Sequence, residues 1–324
     1  MISEAQKIYY LSNQVLRNLG FVDDNGYTKA VDPLEPESIL LEEKKTVKNI
    51  IEKNSKQDAK TVKQLNKIVS DIDYDSEESI NSAIKKTDKV IKNHGKLVAP
   101  QASGILEDDS EVYYKKVSNK LATDFGTASS FIQADEELIK IINNWNETFI
   151  GDNYRNNVTN QVNNIIRDTI KRDGGAMSRG QLTSELTSRM KRTVRNENYW
   201  NTVASSVLNN SRSASSLRFY DGAGISKYEV LSVLDEITSN ICRNMHGRIF
   251  SVSNGLKAYE KLSNAETAEE AKDVMPWMST NKEEEVLLRG SDIRTLSNAE
   301  LQAKGVSTPP YHGKCRTTIV PILV

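Results

Sequence analysis

The stretch LEEKKTVKNIIEKNSKQDAKTVKQLNKIVSDI, residues 41–72, narrows the choice of fold most. Val47, Ile50 and Ile51, then Val62, Leu65, Ile68 and Val69, recur at three- and four-residue spacing on a highly charged background. That period winds an apolar stripe along one side of an α-helix and leaves the charges on the other. SINSAIKKTDKVIKN repeats the pattern with Ile80, Ile84 and Ile91. Residues 1–100 hold 16 Lys+Arg against 16 Asp+Glu, so this face is expected to be solvated rather than a polyelectrolyte site. A narrow stripe also suits a partner helix or a neighbouring subunit.

The signal pauses at HGKLVAPQASGILEDDS, residues 94–110, where Gly, Pro and Ser predict a loop or linker with His94 solvated in it. It then resumes. DEELIKIINNWNETF aligns Leu138, Ile141, Ile142 and Trp145, and YRNNVTNQVNNIIRDTIKR aligns Val158, Val162, Ile165, Ile166 and Ile170. The glycines of DGGAMSRG break that helix, and Ser178 with Gln181 forms a capping-box signature for the next. That helix places Leu182, Leu186 and Met190 on one face, and NYWNTVASSVLNNSRSASSLRFY follows it. Residues 151–220 carry 11 Lys+Arg and 5 Asp+Glu. Such a surplus suits phosphate contact through Arg189, Arg192 and Arg195, or simply a basic face toward an acidic partner.

After DGAG, residues 221–224, the texture changes. ISKYEVLSVLD and the terminal CRTTIVPILV are short and β-branched, and both predict strands. The expected fold is mainly α with a C-terminal α+β domain and an extended helical N-terminal region. Its expected parts are 1–110, charged and helical; 111–220, helical and basic; and 221–324, an α+β core closed by the C-terminal strand. The chain has 324 residues and a formal net charge of −1, which argues against a general nucleic-acid polyelectrolyte. The start has no basic flank followed by an apolar run, and no segment is apolar for long enough to span a bilayer. A soluble protein made in the cytoplasm, with reduced thiols, is expected.

Both cysteines and two of the three histidines fall in two short segments. DEITSNICRNMHG holds Cys242 and His246; PPYHGKC holds His312 and Cys315. On a helix, i and i+4 share a face, so Cys242 and His246 can converge on one point, and His312 with Cys315 can do so in a turn. Two Cys/His pairs match the donor types of a closed tetrahedral zinc site, although 65 residues lie between them. Other readings stay open: buried thiols beside hydrogen-bonded histidines, one disulfide, or a Cys242–His312–Asp235 nucleophilic set in a thiol- or metal-dependent hydrolase. No Walker loop and no GxGxxG after a strand is present.

The order of these segments resembles the head-morphogenesis domain of tailed bacteriophages, the Mu F-like minor head proteins. That family pairs Asp-x-x-Thr-x-x-x-Cys-x-x-x-His-Gly with a later Pro-Pro-x-His-x-x-Cys-Arg. The matching residues are Asp235, Thr238, Cys242, His246 and Gly247, then Pro309, Pro310, His312, Cys315 and Arg316. The chain departs at Ile237, where the family commonly has Arg, and at Gly313, where it often has Pro. The resemblance spans about residues 150–324 and implies a non-enzymatic structural protein of the phage head. Its implied partners are the portal protein and capsid subunits, with packaged DNA nearby, in several copies per virion. Its implied locations are the virion and, during assembly, the host cytoplasm. Some members carry a fused C-terminal toxin enzyme, which is not expected here. Cys242, His246, His312 and Cys315 become the expected clasp, with or without zinc, and Asp235, Thr238 and Arg316 its supporting network.

Overall fold

The computed structural model describes residue 34, residues 38–128, 132–148, 150, 154–173 and 178–323. The amphipathic start and the glycine break at 174–177 lie outside the described residues, as do the side chains of Trp145, Ile170 and Leu182. Helix accounts for 69% of the described residues and strand for 7%, so the sheets among them are small, local features. Among the described residues six long helices come first: α1 (Ser38–Ser70), α2 (Glu77–Asp124), α3 (Gln133–Thr148), α4 (Tyr154–Asp173), α5 (Arg179–Arg195) and α6 (Glu197–Gly222). The remainder alternates short elements: β1 (Lys227–Leu231), α7 (Asn240–Met245), β2 (Ile249–Ser251), α8 (Val252–Leu262), α9 (Ala268–Val274), β3 (Ser279–Thr280), β4 (Val286–Leu288), β5 (Ser291–Asp292), α10 (Asn298–Ala303) and β6 (Thr318–Pro321).

The segment 94–110 is not a linker. It lies in the middle of α2, with Pro100 inside the helix. Ile91, His94, Val98, Ala102 and Leu106 are all buried, at three- and four-residue steps. That stripe outweighs the local breakers. Pro100 removes one backbone donor and crowds the carbonyl of Lys96, but both residues lie on the exposed side, where water can take the freed carbonyl.

The chain groups into two compact units, one drawn from residues 1–44, 107–145 and 202–324, the other from 45–106 and 146–201. Among its described residues the second unit has helices joined by short turns and no strand. Val47, Ile50, Leu65 and Val69 of α1 are buried, as are Val158, Val162 and Ile166 of α4 and Leu186, Met190 and Val194 of α5. The charged N-terminal helices therefore bury their stripe within a packed unit. Polar bonds between elements add register: Asn163 Nδ2 donates to Asp88 Oδ1 at 2.9 Å, and the hydroxyl of Tyr74, in the turn between α1 and α2, pairs with that of Thr183 at 3.2 Å. The Ser178/Gln181 capping box forms as expected and starts α5, which ends at Asn196 in the left-handed region.

The first unit holds both sheets. β1 is the central strand of the order β2-β1-β6 and is antiparallel to both neighbours. Its register with β6 pairs Glu229 with Val320 and Val230 with Ile319, so the two β-branched segments meet across about 90 residues of chain. A second sheet, β3-β4-β5, went unforeseen in the sequence because strands of two or three residues are too short to show a period of two. Helix α6 underlies the C-terminal segment. Asn209 Nδ2 donates to the Cys315 carbonyl at 2.8 Å, and Arg212 donates to the Thr317 carbonyl at 2.9 Å. Arg212 is fully buried, so one charge of the basic 151–220 stretch faces the interior. The Tyr220 hydroxyl donates to the Ile319 carbonyl at 3.1 Å and ties β6 to the same helix.

Candidate functional site

The site forms where the loop after β1, the start of α7 and the turn before β6 converge. Ser239 caps α7: its side chain accepts from the Cys242 N–H at 3.2 Å. That cap fixes Cys242 in the first turn. On the other side, Lys314 adopts φ +59° in the left-handed region and turns the HGKC segment back on itself. Gly313 permits the close approach to α6, because a Cβ there would lie 2.4 Å from Thr202 Cγ2. The Pro309–Pro310 bond is cis.

These turns bring Cys242, His312 and Cys315 together, with their ligand atoms all within 4.8 Å of one another. Cys242 Sγ lies 3.0 Å from His312 Nε2 and 3.7 Å from Cys315 Sγ, and both thiols are free. His312 Nδ1 is 2.6 Å from the Gly313 carbonyl, which can only accept, so Nδ1 carries the proton. Nε2 then presents its lone pair to the sulfurs and to Ser239 Oγ, 2.9 Å away. The Cys315 S–H, then the Ser239 and Thr317 hydroxyls and the Arg316 charge, outweigh burial and hold the Cys242 thiol down to about 6. Burial, with Cys242 beside it, pushes the Cys315 thiol well up. Two sulfurs and one free imidazole nitrogen could hold a metal ion.

His246 is not part of this group. The expectation that it shares a face with Cys242 assumed a helix running through both. α7 ends at Met245, and His246 is its C-cap with ψ 134°, outside helical geometry. Its Nδ1 instead accepts the Ser232 N–H at 3.1 Å and secures the chain leaving β1. Gly247 follows at φ +76°, the left-handed position that lets the chain reverse toward β2. The His-Gly pair thus ends a helix and lies outside the group of three.

Asp235, Thr238 and Arg316 do form a network, but with one another. Arg316 grips Asp235 with two parallel bonds, Nη1 to Oδ2 at 2.8 Å and Nη2 to Oδ1 at 2.6 Å. Thr238 Oγ1 lies 2.6 Å from Asp235 Oδ1. Arg316 first, then Thr238, hold the Asp235 carboxyl well below the usual carboxylate range. The orienting partner of His312 is the Gly313 carbonyl, not Asp235. A cleft of about 30 Å³, lined in part by Thr238, Ser239, Cys242, His312 and Arg316, borders both the network and the Cys242 thiol and has room for a water or two. Ser239 escaped the sequence reading, although Ser three residues before Cys242 is a recognisable N-cap signal. The Gly313 carbonyl carries no sequence signature.

The three arginines considered for DNA lie in the second unit. Arg189 and Arg192 of α5 line a shallow cleft of about 350 Å³, which Asp168 of α4 also lines. Arg189 donates to Thr169 at 2.5 Å, and Arg195 pairs with Glu197 at 3.5 Å. Among the described residues no helix is long and apolar enough to cross a membrane. The chain matches no family model, no curated protein and no solved structure.

Proposed function

We propose that this chain is a minor head protein of a tailed bacteriophage, bound at the portal and acting in head assembly and in DNA packaging or delivery. One observation carries the reading. The two motif segments that carry the family resemblance meet at one site: Asp235, Thr238 and Cys242 on one side, His312, Cys315 and Arg316 on the other. A shared motif whose parts are spatially coupled is what a common structural module requires. On this reading, the C-terminal part of the first unit is tied by a zinc clasp of Cys242, His312 and Cys315. The donor set fits. Two sulfurs of a tetrahedral zinc site lie about 3.8 Å apart, against 3.7 Å here. The Gly313 carbonyl holds the imidazole in the tautomer that leaves Nε2 free to ligate. Three donors leave the fourth position for water.

Two measurements test this. Quantitative mass spectrometry of purified heads of the encoding phage is expected to find the chain in a few copies per particle, and to recover it with the portal after mild dissociation. Its absence from heads sinks the reading. Elemental analysis of the purified chain is expected to give about one zinc per chain, removable by chelator with a fall in melting temperature. Zinc-free protein with unchanged melting discards the clasp and leaves the head assignment standing.

A second reading, a thiol hydrolase, has the Cys242–His312 contact of 3.0 Å in its favour. It predicts that Cys242→Ala retains stability and loses an esterase or peptidase activity. An inactive wild-type chain across such substrates ends it.

A further inference from the structure

We infer that Cys242 and Cys315 form a peroxide-reactive thiol pair, in which Cys242 is oxidised first and Cys315 resolves it to a disulfide. The inference uses only the thiols, the imidazole and the cleft, and stands whether or not the chain is a head protein.

Three geometric facts point to it. First, the sulfurs are 3.7 Å apart and unbonded. A disulfide requires about 2.0 Å, so a small side-chain movement closes the gap. Second, the two thiols are not equally reachable. Cys242 lines the cleft beside His312, whereas Cys315 is fully buried and is not among the residues that line it. Third, the cleft has a volume of about 30 Å³. Hydrogen peroxide is little larger than a water molecule and fits; a glutathione-sized disulfide does not. The co-reactant is therefore a small peroxide.

The steps balance. Cys242 Sγ attacks one peroxide oxygen while its proton passes to His312 Nε2, 3.0 Å away. The O–O bond breaks, and the departing hydroxide takes the proton from His312 and leaves as water. Cys242 is now a sulfenic acid. The Cys315 sulfur attacks the Cys242 sulfur, the S–O bond breaks, and the second oxygen leaves as water with the Cys315 proton. Two thiols have been oxidised by two electrons, and one peroxide has been reduced to two waters. The product presents no thiolate, so a three-donor metal group falls to a single imidazole.

The test uses the full chain, chelator-treated and reduced so that no metal shields the sulfurs, and exposed to hydrogen peroxide at a small molar excess. Alkylation followed by peptide mass mapping is expected to show both thiols lost together. They should be recovered as one cross-linked pair of peptides, and dithiothreitol should restore both. Cys315→Ser is expected to stop at the sulfenic acid, trapped on Cys242 by dimedone. Cys242→Ser is expected to abolish the loss of the Cys315 thiol. The wild-type cross-link is read without any variant, so a misfolded variant does not shelter the idea. Peroxide that leaves both wild-type thiols alkylatable overturns it. So does loss of the Cys315 thiol in Cys242→Ser at the wild-type rate.

Discussion

His94 shows how much a single residue's setting depends on the element around it. In the interior of the second unit its Nδ1 lies 2.9 Å from Thr61 Oγ1, and its Nε2 faces Asp58 Oδ1 at 3.4 Å. Burial pushes Asp58 up to about 7, with the Arg195 charge opposing, and pushes His94 down to about 4. Both neutral forms are favoured, yet their pH signs differ. Between about 4 and 6.5, folded His94 binds fewer protons than the unfolded chain, so it removes stability as pH falls. Between 3.8 and about 7, folded Asp58 binds more, so it removes stability as pH rises. The two slopes oppose each other across the shared window. Asp58→Asn deletes one of them. Its melting temperature is expected to fall more steeply than that of the wild type between pH 6.5 and 4; parallel profiles would contradict the pairing. At this scale the sequence revealed which residues carry chemistry but not which of them meet. Cys242, His312 and Cys315 stood out by rarity and spacing. His246 stood out equally, and only the end of α7 at Met245 separates it from them. The Gly and Pro beside His94 predict a solvated loop, whereas the residues that it meets, Thr61 and Asp58, sit on another helix, which local sequence does not reveal.

Elements were legible in proportion to their length. The helices with several turns of apolar stripe were plain in the sequence, and so was the Ser178 capping box. The strands of the second sheet were not, since two or three residues cannot establish a period. Chain reversals between short elements depend instead on a few left-handed positions. Gly224, after α6, has φ +72° with open space around it. Gly305, after α10, has φ +79°, and a Cβ there would lie 1.9 Å from the Val274 carbonyl oxygen. Either Gly→Ala change costs about 1 kcal/mol for the left-handed conformation alone. Gly305→Ala must also move backbone, so it is expected to cost at least about 3 kcal/mol in urea unfolding, while Gly224→Ala stays near the conformational cost. Equal losses at the two sites would show that the approach of Gly305 to Val274 is not tight.

On the scale of the whole molecule, periodicity revealed the class, mainly α with a small C-terminal α+β part, but not how the chain is parcelled. Sequence texture suggested consecutive regions. Instead, each compact unit is assembled from separated stretches, and the chain passes from one to the other near residues 44, 106, 145 and 201. All four passages fall inside helices, in α1, α2, α3 and α6. A protease needs several residues of extended backbone, which a helix does not offer. Limited trypsin digestion is therefore expected to spare Lys44 and Lys45, though both are exposed, and to cut first among the described residues at loop lysines such as Lys282. Early fragments ending at residues 44 or 45 would contradict this. The same layout bears on inheritance. The second unit is not a cassette that recombination can lift out in one piece. Its two stretches, 45–106 and 146–201, must travel together while 107–145 stays behind. A crossover that moves only one of them leaves helices whose halves descend from different parents. Lineages of this chain are thus expected to diverge by point substitution and loop insertion rather than by exchange of whole units.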